Sequence, residues 1–405
     1  MKISIKNTVV IFPILLIFVS EYFRFVYPVA GLVLKLVSVI LMVIIAIVYG
    51  KLDKKLVFFS FLVVPFLIVH FFASFSYRAA CEELFRYLFP IVVLFYGYTL
   101  RKQFEVIFKF LLFFLILNYI AQIINYLLWW QGIDQWFYIY SPTGRVNIPA
   151  VSGILRATGL MGFFSVFGFF NIIMYFLISF LYEGKFKKIL LISTVVFLFL
   201  SLSFKGIVTF FVLLFFLAKN KLKIFVTSLF TFLIVTIAFP LKVVFFVDNA
   251  IVRLRAYILE GTSARSESYR IMFRETGFLF GEGLGAFGGP ASTKYNSPFY
   301  EEVNFNWFGL PNLQTTDTYY PHLFVELGFI GATLYLLIFF VPLFKLKQLN
   351  VKYLKIILIV YIALFLDALF TYSLNNLVYL SISMLLIYPI IYYGKSSKIK
   401  STISC

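Results

Sequence analysis

The sequence predicts an all-α polytopic membrane protein. Of its 405 residues 62% are hydrophobic and only 13% charged, giving a mean hydropathy of +0.99. Apolar runs of span length follow one another almost from end to end, and basic residues gather at every second connection. A hydrocarbon core about 30 Å thick takes about 20 apolar residues as helix, and an open sheet edge cannot lie in lipid. About twelve spans result, at 8–24, 29–50, 56–74, 84–100, 104–128, 159–181, 188–204, 206–218, 222–246, 319–344, 353–371 and 376–394. The chain reads as one integral membrane domain, 1–405.

The first apolar stretch, Val9 to Val19, follows Lys2 and Lys6 as a signal peptide would. No small-x-small cleavage site comes after it, so it is expected to remain as the first span. Lys51/Lys54/Lys55, Arg101/Lys102/Lys109, Lys185/Lys187/Lys188, Lys219/Lys221/Lys223, Lys345/Lys347/Lys352/Lys355 and Lys395/Lys398/Lys400 share one side with Lys2 and Lys6. That is 21 of the 35 basic residues. The positive-inside rule makes this side, with both termini, cytoplasmic.

The outer cations differ in kind. Ten of the eleven arginines lie there: Arg24, Arg78, Arg86, Arg145, Arg156, Arg253, Arg255, Arg265, Arg270 and Arg274. Only Lys35, Lys205, Lys242 and Lys294 join them. Lysine suffices beside anionic headgroups, whereas a guanidinium forks onto phosphate or carboxylate. Even so, some of these arginines are expected to pair with Glu82, Glu83, Glu260 or Glu267. Two outer segments are long. The segment 129–158 carries Trp129, Trp130 and Trp136 at an interface. The segment 248–318, before the tenth span, is large enough for a small ordered periplasmic cap, helical at first and Gly-, Asn- and Pro-rich from Gly281 to Asn312.

Several patterns exclude functions. The +18 formal charge is distributed by membrane side, so it does not signal nucleic acid. Cys81 and Cys405 fall on opposite sides, which leaves no disulfide framework. With two histidines no metal site is expected, and no cofactor. Gly283-Leu-Gly285-Ala-Phe-Gly288 fits a dinucleotide fingerprint but has no strand–helix context; its physical content is a close backbone approach. No Walker A sequence and no D-x-D occur. His70, in L-I-V-H-F-F, reads as a packing histidine, and the pairs Glu82-Glu83 and Glu301-Glu302 as solvated carboxylates.

The stretch Asp317 to Gly331, D-T-Y-Y-P-H-L-F-V-E-L-G-F-I-G, is where chemistry concentrates. His322 and Glu326 stand four apart and share a helix face at the start of the tenth span. Pro321 is tolerated in the first turn, where its missing N–H has no partner to lose. An ionisable residue at the centre of a span costs roughly 2.5–3.5 kcal/mol, less near the interface, so such residues point to function.

Further features share that outer side: Arg156 in R-A-T-G-L-M-G, Lys205 in S-L-S-F-K-G, and Arg265 and Arg270 in S-A-R-S-E-S-Y-R. In this order on a twelve-span frame they resemble the O-antigen polymerase and O-antigen ligase superfamily (Wzy and WaaL types). The resemblance covers about Leu155 to Gly331. Leu323 departs from the family's polar residue after the histidine, and Asp317 resembles a polymerase lead-in. The resemblance implies glycosyl transfer from an undecaprenyl-pyrophosphate-linked oligosaccharide at the periplasmic face of a bacterial inner membrane. Histidine titrates in the range a base for a sugar hydroxyl needs. His322 is therefore expected to act as base, oriented by Glu326, with Arg265, Arg156 and Arg270 on pyrophosphate and Lys205 supporting them. Asp317 would bind sugar hydroxyls or orient an arginine. Tyr319, Tyr320 and Trp307 suit a sugar face, though interfacial anchoring fits each as well. Without a D-x-D, the transfer is expected to be metal-independent. Membrane lipid is the other partner, and a chain-length regulator protein is left open. A ligase acting on lipid A core shares the donor site; a flippase for the same lipid-linked sugar is the alternative from another class.

Overall fold

A computed structural model describes residues 5–49, 52–132, 140–141, 144–145, 150–151, 154–218, 220–222, 226, 244, 247–248, 251–252, 255, 263–274, 279–305, 318–347 and 349–403. The middle of the segment 129–158 (with Trp136), most of the ninth expected span, Trp307 and Asp317 lie outside these residues.

The described chain is helical: α1 (Ile5–Val26), α2 (Pro28–Tyr49), α3 (Lys54–Phe72), α4 (Tyr77–Thr99), α5 (Phe104–Trp130), α6 (Phe164–Leu181), α7 (Lys187–Leu200) and α8 (Phe204–Leu217). The long segment expected on the outer side contributes α9 (Ala264–Arg274), α10 (Pro290–Lys294) and α11 (Phe299–Glu302). Then follow α12 (Tyr319–Phe340), α13 (Val351–Ala368), α14 (Leu377–Ile382) and α15 (Met384–Ile403). Two antiparallel pairs of two-residue strands, 140–141 with 144–145 and 150–151 with 154–155, are the described strands. Among the described residues, six helical stretches are long and apolar enough to cross a membrane: Val29–Tyr49, Lys54–Phe72, Phe104–Trp130, Phe164–Leu181, Tyr319–Lys345 and Leu377–Ser396. The chain is a polytopic helical membrane protein.

Local chemistry sets several helix starts. Asp53, Asn350 and Asn376 turn their side chains onto the backbone N–H groups of Lys55, Lys352 and Val378, pairing donors that a helix start leaves open. The last span is two pieces, α14 and α15, which meet at Ser383. The tenth span is not straight either. At Gly328 the backbone (φ 64, ψ −176) leaves helical geometry, a conformation open essentially to glycine alone. The break frees the carbonyls of Val325 and Glu326, which accept from Glu282 N at 2.8 Å and Gly283 N at 3.1 Å.

That pairing seats the cap formed by residues 263–274 and 279–305. Ile271, Phe287, Phe299, Tyr300 and Phe305 form a small apolar core of their own, joined by Val325 of α12. The rings at Phe287, Tyr300 and Phe305 meet at centroid distances of 5.2–5.6 Å. Beneath it, α12 packs against α3 and α9, and α4 against α2, α3 and α15. Within this interior α4, α12, the 369–376 turn and the cap loop 281–291 meet.

Candidate functional site

On α4, Ala79, Ala80, Glu83, Tyr87, Ile91 and Leu94 form the buried stripe. Helical spacing therefore carries Glu83 and Tyr87 inward together, towards α12. On α12, His322 and Glu326 share the face that meets them. Glu83, His322 and Glu326 are each fully buried.

His322 is held at both ring nitrogens. Nδ1 lies 2.6 Å from the Phe287 carbonyl, which can only accept, so this nitrogen carries a proton. Nε2 lies 2.6 Å from the Tyr372 hydroxyl and 3.0 Å from the Tyr87 hydroxyl. Each tyrosine also reaches a carboxylate: Tyr87 donates to Glu326 Oε2 at 3.0 Å and Tyr372 to Glu83 Oε2 at 2.9 Å. The Tyr87 ring stacks on the imidazole at 5.5 Å, nearly parallel. A second layer fixes the first. Tyr335 donates to Tyr87 O at 3.1 Å and to Asn375 Oδ1 at 2.8 Å, and Tyr319 donates to the same Asn375 oxygen.

Charge is balanced on α4. Arg86 pairs with Glu83 at 2.5 Å and with Glu82 at 2.7 Å, and Lys294 of α10 pairs with Glu82 at 2.9 Å. The Ala291 N–H donates to Glu83 Oε1 at 3.2 Å. Burial works against the Glu82 charge, yet Arg86 and Lys294 hold its carboxyl below its ordinary value. The hydrogen bond that Lys294 donates to Glu82 in turn raises its ammonium above the usual range.

Two protonation patterns satisfy this arrangement. With neutral His322, Nε2 accepts from one tyrosine. With His322 charged, Nε2 donates to a tyrosine oxygen while both tyrosines donate to their carboxylates. The network can take up a proton at Nε2 without moving a heavy atom, as a general base must.

The structure brings His322 and Glu326 together. Glu326 Oε1 stands 3.4 Å from Nδ1, while the Phe287 carbonyl holds that proton; Glu326 acts on the imidazole through Tyr87. The backbone at Gly285 and Phe287 stands beside the Glu326 carboxylate. Glu83 is not a solvated carboxylate, whereas Glu301 and Glu302 are exposed. His70 is indeed held by carbonyls, those of Phe66 at 2.9 Å and Phe280 at 2.6 Å, and so ties the cap loop to α3. The 283–288 glycines make the close approach expected of them: a Cβ on Gly285 would meet Ala79 Cβ at 2.8 Å.

The expected anion ligands separate into two groups. Arg156 donates to Leu202 O at 2.6 Å and Ser201 O at 3.3 Å, with its guanidinium over the Phe164 ring. Lys205 pairs with Asp367 at 2.7 Å. Both have protein acceptors where phosphate was expected. Arg265 and Arg270 lie on α9, Arg270 half-exposed and paired with Glu267 at 3.0 Å; the Arg265 charge acts on Tyr269, one turn along. Tyr319 is fully buried as a wall of the site rather than set for a sugar face. Tyr320 donates to Phe365 O at 3.2 Å.

No protein-family model matches the chain, and none of the curated proteins matches it. Its chemistry has to be read from these side chains.

Glu83, His322 and Glu326 offer ligand atoms all within 4.8 Å of one another, the one such group among the described residues. A divalent ion fits them poorly. Arg86 already neutralises Glu83, its guanidinium would repel the ion, and two tyrosine hydroxyls stand where Nε2 would bind it.

Sequence reasoning did not find Glu83, Tyr87 or Tyr372. Glu83 had a signal, a carboxylate on the apolar stripe of an amphipathic helix. Tyr372, in the turn after α13, had none: contacts 50 and 289 residues away define it.

Proposed function

We propose that the protein is a surface-polysaccharide polymerase of the O-antigen type, a glycosyltransferase of the bacterial inner membrane. In this reading it has twelve spans, cytoplasmic termini and a periplasmic active face. It transfers glycan from undecaprenyl pyrophosphate onto the next lipid-linked repeat unit. The observation that supports it most is a buried imidazole with one nitrogen fixed on a backbone carbonyl and the other in a hydroxyl–carboxylate relay.

The acceptor hydroxyl oxygen forms the new bond to the anomeric carbon as the bond to pyrophosphate breaks. Its proton passes to His322 Nε2, directly or through the Tyr372 or Tyr87 hydroxyl. Arg265 and Arg270, on the cap helix, receive the charge that develops on the leaving pyrophosphate, since guanidinium forks suit phosphate oxygens. Asp317 remains a sugar-hydroxyl ligand in this proposal. Arg86 and Lys294 already hold Glu83 and Glu82, and the reading assigns no step to a metal ion.

The test is the banding of surface polysaccharide from a deletion strain complemented with wild type, His322→Ala or Arg265→Ala. A ladder with wild type that collapses to core plus one repeat with both variants, at equal membrane levels, is the expected result. Loss of all attached glycan with lipid-linked polymer accumulating would mean a ligase. Unchanged ladders would remove the site and favour transport of the lipid-linked sugar.

A further inference from the structure

The connection at 201–203 does more than reverse the chain between α7 and α8. Leu202 holds a left-handed conformation (φ 47), which a branched side chain seldom adopts without support. That support comes from Arg156, which donates to the carbonyls of Leu202 and Ser201. The Ala157 N–H adds a bond to Leu200 O at 2.8 Å. This turn delivers Lys205 into the first turn of α8. Its ammonium lies 2.7 Å from Asp367 Oδ1 and donates to Thr371 Oγ1 at 2.8 Å. The Thr371 hydroxyl in turn donates to the Asp367 carboxylate, and the Thr371 N–H to Asp367 O at 3.0 Å. From the cap, Tyr269 donates to Leu369 O at 2.9 Å. The next residue after Thr371 is Tyr372, whose hydroxyl touches both His322 and Glu83.

We propose that Arg156, Lys205 and Asp367 are positioning residues that clamp the 367–372 turn and so aim the Tyr372 hydroxyl at His322 Nε2. The inference rests on the reading of His322 as the base. It gives the two cations a different task from the one their motifs imply: they hold protein, and through it the imidazole, instead of pyrophosphate. A phosphate that took Lys205 would leave Asp367, 5% exposed, without its cation, which a buried carboxylate tolerates poorly.

The chain's two histidines make a direct test possible. In purified, full-length protein in lipid nanodiscs, ¹⁵N-imidazole spectra give His322 and His70 as separate signals, with His70 as the internal reference. Tyr372→Phe, Asp367→Asn and Lys205→Met are expected to move the His322 Nε2 signal and its titration midpoint in the same direction. His70 stays in place, and Lys205→Arg restores the wild-type signal. In kinetics the same variants lower kcat and leave KM for the lipid-linked donor within about twofold. If Asp367→Asn and Lys205→Met leave Nε2 unmoved while Tyr372→Phe shifts it, the pair only supports the fold and the inference is wrong. A raised donor KM with an unmoved Nε2 would make Lys205 an anion ligand and also overturn it. Should Lys205→Met not accumulate, the isosteric Asp367→Asn carries the comparison alone. Wild-type polymer from His322→Ala would instead sink the catalytic reading and leave the spectra standing.

Discussion

At the residue scale, His322 owes its chemistry to what surrounds it rather than to its own position on α12. Phe287 O fixes the proton on Nδ1 and leaves Nε2 to the tyrosines. Replacing His322 by Gln keeps a polar side chain and loses the base, so turnover should fall roughly 10²–10⁴-fold with membrane levels unchanged. Glu83→Ala is a different kind of change. It removes the buried one of the two carboxylates that Arg86 holds, where breaking a buried pair outright costs about 3–5 kcal/mol. A clear drop in the thermal midpoint of the purified protein is expected; an unchanged midpoint would show that Arg86 finds Glu82 sufficient. Glu83 was legible as an oddity on an apolar stripe. Tyr372 was not, because nothing in S-L-N-N nearby marks a tyrosine that a fold carries to a histidine.

At the element scale, the Gly328 kink and the loop 281–291 are one device. Breaking α12 frees carbonyls that the loop's N–H groups need, and the docked loop brings Phe287 O to His322. Gly328→Ala puts a Cβ into a φ/ψ region it avoids, costing roughly 1–3 kcal/mol, and drives it against the backbone of Gly281. Faster hydrogen exchange at Glu282 and Gly283 is the expected reading. Gly289→Ala leaves φ ordinary but places a Cβ 2.5 Å from Glu83 Oε1 and 2.8 Å from His322 Cε1. It should abolish activity while costing little stability, because the loop can lift away. The Lys294–Glu82 contact adds a pH dependence. Glu82 is held below its ordinary value of 4.5, so its contribution is present above that value and is lost as pH falls through the lower, folded one. Partly exposed, the pair is worth no more than about 1 kcal/mol, so only the amides of α10 should exchange faster in acid.

At the scale of the whole molecule, the proposed orientation rests on the basic residues at alternate connections. Cys81 is exposed near the start of α4, on the proposed outer side, and Cys405 falls on the proposed inner side. A membrane-impermeant thiol reagent applied to spheroplasts should therefore label the wild type, and Cys81→Ser should abolish that labelling. Labelling that persists without Cys81 would put the C-terminus outside and overturn the orientation. The helices at 104–130, 164–181 and 319–345 follow the hydropathy because burial in lipid is additive along a segment and needs no partner. For the same reason the sequence alone set the membrane class, the separation of the arginines from the lysine-rich connections and the shared face of His322 and Glu326. Only the tertiary structure decided which groups those two side chains meet. It brought Glu83 and Tyr87 from α4, Tyr372 from beyond α13 and a carbonyl from the cap to one imidazole, and it turned Arg156 and Lys205 towards protein acceptors. Those pairings depend on helix packing and loop closure across up to 289 residues, which no local pattern of polarity or charge encodes.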